Sequence, residues 1–166
     1  MTYFHAIFAP DEILALASAI RKDGALAAFC FGTDKKPLAG GESQIYALRF
    51  PDDTTWAVRI PVHAGRSMPA SSITHSVEAE VAILTRLGNA GIRWAPKLIS
   101  YDSRFDNPIT HPYIVLSWVH GTPLEWTETF PLERRHRHTI LRQFVDIQLD
   151  LAECTQSLSA SFLFLY

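Results

Sequence analysis

The sequence predicts an α+β fold, a five-stranded antiparallel sheet with one helix packed against it and a further helix before and after it in the chain. Two observations carry this. Segments of strand period come in hairpin-linked groups rather than alternating singly with helices, and the helical segments between them are set off by proline or glycine. With 166 residues, 48% hydrophobic and 19% charged, the chain has the means to bury a core, as one domain or a part of a larger one.

Pro10 and Asp11 start the first helix, which runs to about Asp23 with Ile13, Ala17 and Ile20 on one face. Arg21 and Lys22 suit the negative end of that helix, and Gly24 breaks it. Ala25 to Gly32 is apolar and reads equally as a buried helical turn or a strand. Leu38-Ala39 ends a strand at a glycine turn, Gly40-Gly41-Glu42-Ser43. Gln44 to Phe50 then alternates, with Ile45, Ala47 and Arg49 on one side and Tyr46, Leu48 and Phe50 on the other. Pro51-Asp52-Asp53 is turn chemistry, and Thr54 to Ile60 returns as the second arm of a hairpin. Val62 to Ser72 reads as a mobile loop, and a helix follows from Thr74 or Ser76 to Leu87, ended by Gly88-Asn89. Pro96 to Tyr101 is a short strand, Asp106-Asn107-Pro108 a turn, and Pro112 to Trp118 a continuous apolar strand of sheet-interior type. Pro131 opens the last helix, Leu132 to about Glu153, striped by Ile140, Leu141, Phe144, Val145, Gln148, Leu151 and Ala152.

Composition narrows the function. Lys and Arg total 15 against 17 Asp and Glu, so no whole-chain attraction draws the protein to a phosphate backbone, and no nucleic-acid partner is expected. No apolar run approaches the roughly 18 residues of a membrane span, and the first ten residues lack the basic start of a signal peptide. Cys30 and Cys154 lie far apart, in no metal-like spacing. The expectation is a cytoplasmic chain with no membrane partner. His136 and His138, two apart, point to different faces of a helix and make a poor metal pair. The basic run Arg134 to His138 reads as a solvated helix face.

One pair of charged residues stands out. Strand alternation puts Arg59 on the same side as Ala57, with Trp56, Val58 and Ile60 on the other. Glu80 shares a helix face with Ile83, Leu84 and Leu87, and a carboxylate on an apolar stripe is costly to bury unless a cation meets it. Arg59 is the nearest upstream candidate, with a solvated Glu80 at the edge of the stripe as the alternative. The glycine turn lets backbone approach a ligand closely and point N–H groups at phosphate oxygens. It is not a Walker loop, because no Lys-Ser or Lys-Thr follows, and a strand rather than a helix comes next.

The ordered set of glycine turn, Ala57-Val58-Arg59, Glu80 on a helix, and Tyr113-Ile114-Val115-Leu116 followed by Ser117 to Leu124 resembles the N-terminal lobe of the aminoglycoside phosphotransferase family, of the fungal type, which shares the protein-kinase-like fold. The resemblance runs from about Leu38 to Ala152. It implies an N-terminal helical extension over 1–35, a kinase-like lobe over 36–119, and a hinge with the first helix of a C-terminal lobe over 120–166. It implies ATP with Mg2+ as cofactor and a nucleotide as ligand. Gly40, Gly41 and Ser43 would line the loop over the phosphates, and Ala57 would roof the adenine. Arg59 would take the place of the strand lysine that holds the α- and β-phosphates, with Glu80 as its helix partner. Leu116 would be the gatekeeper, with the Ser117 carbonyl and the Val119 amide at the adenine edge.

The sequence departs from the family in having Arg for Lys at position 59 and Gln44 where asparagine is more usual. No histidine is followed two positions later by aspartate, and the only asparagines are Asn89 and Asn107. No catalytic or metal-binding residue is therefore assigned, and the expectation is a truncated member, complemented by a missing or separate C-terminal lobe. Without that lobe the hinge face around Trp118 and the last helix are expected to expose apolar surface. The alternatives are a non-catalytic pseudokinase remnant, a partner-binding α+β module, or a domain in which Arg59 and Glu80 only hold the fold together.

Overall fold

The computed structural model of the chain describes residues 8–31, 38–39, 42–62, 69–122, 124–129, 131 and 133–162. Two compact units divide the chain, Met1–Thr85 with Pro96–Trp118 and Arg86–Ala95 with Val119–Tyr166.

In the first unit, helix α1 (Pro10–Arg21) begins with proline at its first position and carries Asp11 and Glu12 in the first turn, where a helix favours negative charge. It stops at Arg21, earlier than the sequence predicts, because Lys22 adopts a left-handed conformation at φ 63°. Its buried face is Ile13, Leu16 and Ala17, with Ile20 only partly covered.

Among the described residues all five predicted strands form, and the ambiguous segment after α1 adds a two-residue sixth. The strands are β1 (Ala28–Phe29), β2 (Leu38–Ala39), β3 (Ser43–Arg49), β4 (Thr55–Pro61), β5 (Leu98–Asp102) and β6 (Tyr113–Ser117). Every pairing is antiparallel, in the order β1-β3-β4-β6-β5, with β2 also on β3. The β3–β4 hairpin closes through Asp52, which accepts from the Thr54 backbone N–H at 3.1 Å and its hydroxyl at 2.9 Å. The turn before β6 is organised by Asn107, whose amide donates to the carbonyls of Arg104 and His111 while its oxygen accepts from Ile109 N–H.

The predicted alternation in β3 and β4 holds and has a cause: both faces of the sheet are covered. Tyr46, Leu48, Phe50, Trp56, Val58 and Ile60 join the face packed on α1, where Phe50 and Trp56 meet edge to face at 4.7 Å. Ala57, Ile114 and Leu116 join Val77, Val81 and Leu84 of helix α2 (Ala70–Asn89) on the other face. Helix α2 starts ahead of the predicted Thr74. Residues 70–72, which the sequence assigns to the mobile loop, are helical because the Pro69 carbonyl receives the N–H groups of Ser72 and Ile73. Trp118 is half-buried, packed on the α2 side of the sheet and 5.9 Å from the Phe31 ring, so the expected bare face there is partly covered.

In the second unit, the end of α2 is a Schellman turn. Ile92 N–H reaches Leu87 C=O, Gly91 N–H reaches Gly88 C=O, and Gly91 takes φ 70°. The helix passes through Gly88, and Gly91 is the residue that ends it. Helix α3 (Arg134–Phe162) opens two residues later than predicted and continues past Glu153. Arg137 steadies its start by donating to the carbonyls of Pro131, Thr127 and Glu128, and lies over the Trp126 ring. The 86–95 segment binds α3 through Arg86 Nε to the Cys154 carbonyl and Trp94 Nε1 to Asp150, each at 3.0 Å. Among the described residues no helix is long and apolar enough to cross a membrane.

Candidate functional site

The site is built where β3, β4 and α2 converge. The hairpin register sets Ile45 opposite Arg59 and Ser43 opposite Pro61, so Ser43 lies diagonally across from Arg59 on the neighbouring strand. Strand parity sends Arg59 to the face covered by α2. There its Nη1 forms an ion pair with Glu80 Oε1, and its Nε donates to Ser43 Oγ at 3.1 Å. Among the described residues its Nη2 has no partner. Both charged side chains remain about one-third exposed, at 33% for Arg59 and 32% for Glu80, whereas Ser43 is buried.

Glu80 sits differently from the stripe predicted for it. The apolar contact of α2 runs through Val77, Val81 and Leu84, while Ile83 is exposed. Glu80, three residues after Val77 and four before Leu84, therefore flanks the buried line, at the height where Arg59 leaves the sheet. At this exposure the ion pair contributes about 1 kcal/mol or less to stability. The pair faces a cleft lined by Glu42, Ser43, Arg59, Pro61, Ser76, Val77, Glu80 and Ile114. The Glu42 carbonyl accepts from Val62 N–H at 2.7 Å, extending the hairpin ladder one step beyond Ser43.

Ser43, Arg59 and Glu80 are thus brought together. Gly40 and Gly41, predicted to line the same loop, lie outside the described residues. Ala57 and Leu116 are cross-strand partners, both buried in the cluster under α2. Ser117 follows opposite Trp56, donating its N–H to the Lys97 carbonyl and accepting the Lys97 N–H on its hydroxyl. Val119 belongs to the second unit and is exposed.

Sequence reasoning missed two features. Ser43 touches the cation itself, a contact legible only from the hairpin register. Ser76, one helical turn before Glu80, lines the cleft, and its i, i+4 spacing to Glu80 was the available signal. Beneath the site, buried Gln44 accepts from the Tyr46 hydroxyl at 3.2 Å, and burial pushes the Tyr46 phenol above its ordinary pKa. Chemically the arrangement is a guanidinium held on two sides with N–H groups to spare, a geometry suited to an anionic oxygen. Among the described residues no cluster of three or more His, Cys, Asp or Glu side chains forms a metal-sized site. No family model matches the chain, and no curated protein matches it.

Proposed function

We propose that the chain is the ATP-binding half of a cytoplasmic small-molecule kinase of the aminoglycoside phosphotransferase type, completed by a C-terminal lobe on the same or a separate chain. The observation that carries this reading is the Arg59–Glu80 pair, with Ser43 on the same guanidinium, in a cleft also lined by Glu42 and Ser76. In kinase-type sites a strand cation that holds the α- and β-phosphates is itself held by a helix carboxylate, under a glycine-rich loop.

ATP, bound with Mg2+, would supply the phosphoryl group. Arg59 would hold phosphate oxygens through the N–H groups that Ser43 and Glu80 leave free, and Glu80 keeps the guanidinium plane from turning away. By the resemblance, Ala57 and Leu116 would stand nearest the purine, with the Ser117 backbone at its edge. Magnesium would enter on the phosphates rather than in a cage of protein ligands. The base that accepts the substrate proton would come from the other lobe, since no histidine here is followed two positions later by aspartate.

Calorimetric titration of ATP–Mg2+ into the purified chain tests this, with Arg59→Ala alongside and urea melts of both. The expected result is binding by the wild type and a loss of about tenfold or more in the variant. A folded wild-type chain that binds no ATP overturns the reading. So does a variant that binds equally well and loses only stability, since the pair would then serve the fold alone.

A further inference from the structure

The cation of the cleft is a guanidinium, and a guanidinium asks more of its neighbours than an ammonium does. It is a flat fork of five N–H groups, so its use to a ligand depends on the direction of its plane as well as on its position. A single contact leaves such a group free to pivot about that contact. Glu80, on Nη1, therefore fixes where the charge sits but not where the remaining N–H groups point.

Ser43 supplies the second point. Its Oγ accepts from Nε at 3.1 Å, a different nitrogen from the one that Glu80 takes. Two anchored nitrogens set the plane of a rigid group, and with it the direction of the third. That third nitrogen is Nη2, which has no partner among the described residues.

The anchor is firm where Glu80 is not. Ser43 is only 7% exposed and sits in register opposite Pro61, with the Glu42 carbonyl bound to Val62 N–H one step further on. Glu80 reaches in from a helix with a third of its side chain exposed. The hairpin thus sets the tilt of the guanidinium. A lysine at position 59 would gain nothing from this hydroxyl at mid-chain, because its donors all lie on the terminal ammonium.

We infer that Ser43 is a positioning residue: its hydroxyl holds the Arg59 plane so that Nη2 meets a phosphoryl oxygen in the cleft, a role that exists only because the cation is arginine. The inference rests on the reading of this cleft as a phosphate site given above, and not on the phosphate belonging to ATP.

Two measurements on the full chain test it. The first needs no ligand. Exchange of the Arg59 Nε–H with solvent, followed by 15N NMR at mildly acidic pH, is expected to become about fivefold faster or more in Ser43→Ala. The second is a calorimetric double-mutant cycle with two probes, ATP–Mg2+ and inorganic pyrophosphate. Ser43→Ala is expected to weaken binding about fivefold or more beside arginine, and less than about twofold in the Arg59→Lys background. Ser43→Cys, which keeps the volume and offers only a weak acceptor, should follow Ser43→Ala in both measurements. A serine that touches the anion itself would cost the same in both backgrounds, and that result overturns the inference. So does an affinity that Ser43→Ala leaves unchanged beside arginine, or an Nε–H exchange rate indifferent to it. If Arg59→Lys binds neither probe, the Nε–H exchange alone decides. A wild type that binds pyrophosphate but not ATP overturns the nucleotide reading and leaves the positioning role to the same two measurements. A folded wild type that binds neither overturns both.

Discussion

Arg21 shows how one side chain ties two elements together. Its guanidinium bonds Asp52 in the hairpin turn and Asp23 beyond the helix, and stacks 4.4 Å over the Phe50 ring. Its hydrogen bonds hold the Asp52 carboxyl well below the usual range, and Asp23 is lowered by the same partner. A carboxylate depressed in the folded state adds stability that is present above its unfolded pKa and lost as pH falls toward its folded one. The clamp should therefore weaken from about pH 4 downward. Urea midpoints measured between neutral and acid pH should fall more steeply for the wild type than for Arg21→Met, which keeps the apolar stem and removes the charge; parallel curves would refute the clamp. At this scale the Arg59–Glu80 pair was legible in the sequence, because strand parity puts Arg59 on an apolar face and helix spacing puts Glu80 next to Leu84, although the buried line runs through Val77, Val81 and Leu84 rather than Ile83. The Arg21–Asp52 bond was not legible: its partners lie 31 positions apart, and nothing local marks them as neighbours.

Elements were read well where punctuation and period agreed, and less well where they conflicted. The β3–β4 hairpin follows directly from alternation around Pro51-Asp52-Asp53, and the observed register keeps that alternation throughout. Helix α2 began early because Ser71 and Ser72, weak helix formers, hide its first turn, and it outran Gly88 because one internal glycine costs only about 1 kcal/mol. The true terminator is Gly91, at φ 70° and with nothing within 4 Å of where a Cβ would stand. Gly91→Ala should thus cost about 1 kcal/mol through backbone strain alone. Gly88→Ala, inside the helix and equally unobstructed, should leave stability unchanged or raise it. Denaturant midpoints of the two variants moving in the same direction would contradict this assignment of the cap.

Across the first unit, stability rests on a sheet covered on both faces, by α1 on one and α2 on the other. Leu48 is fully buried in the α1 cluster, and Leu48→Ala should lower unfolding free energy by roughly 2–5 kcal/mol. An exposed control, Leu141→Ala on α3, should leave the unfolding free energy of a monomeric sample nearly unchanged. The sequence showed the α2 face through Glu80, but the cover on the other face could not be read from it, since packing of α1 on β3 and β4 depends on contacts between distant segments. The tryptophans record this organisation. Trp56 lies buried in the first unit and Trp118 half-buried with it, while Trp94 and Trp126 belong to the second and are 38% and 43% exposed. Replacing Trp94 and Trp126 with phenylalanine leaves a blue-shifted, quencher-protected emission that reports the sheet alone; replacing Trp56 and Trp118 leaves a red-shifted signal from the other unit. The chain thus carries its own pair of optical reporters, one for the melting of each unit, with no dye attached.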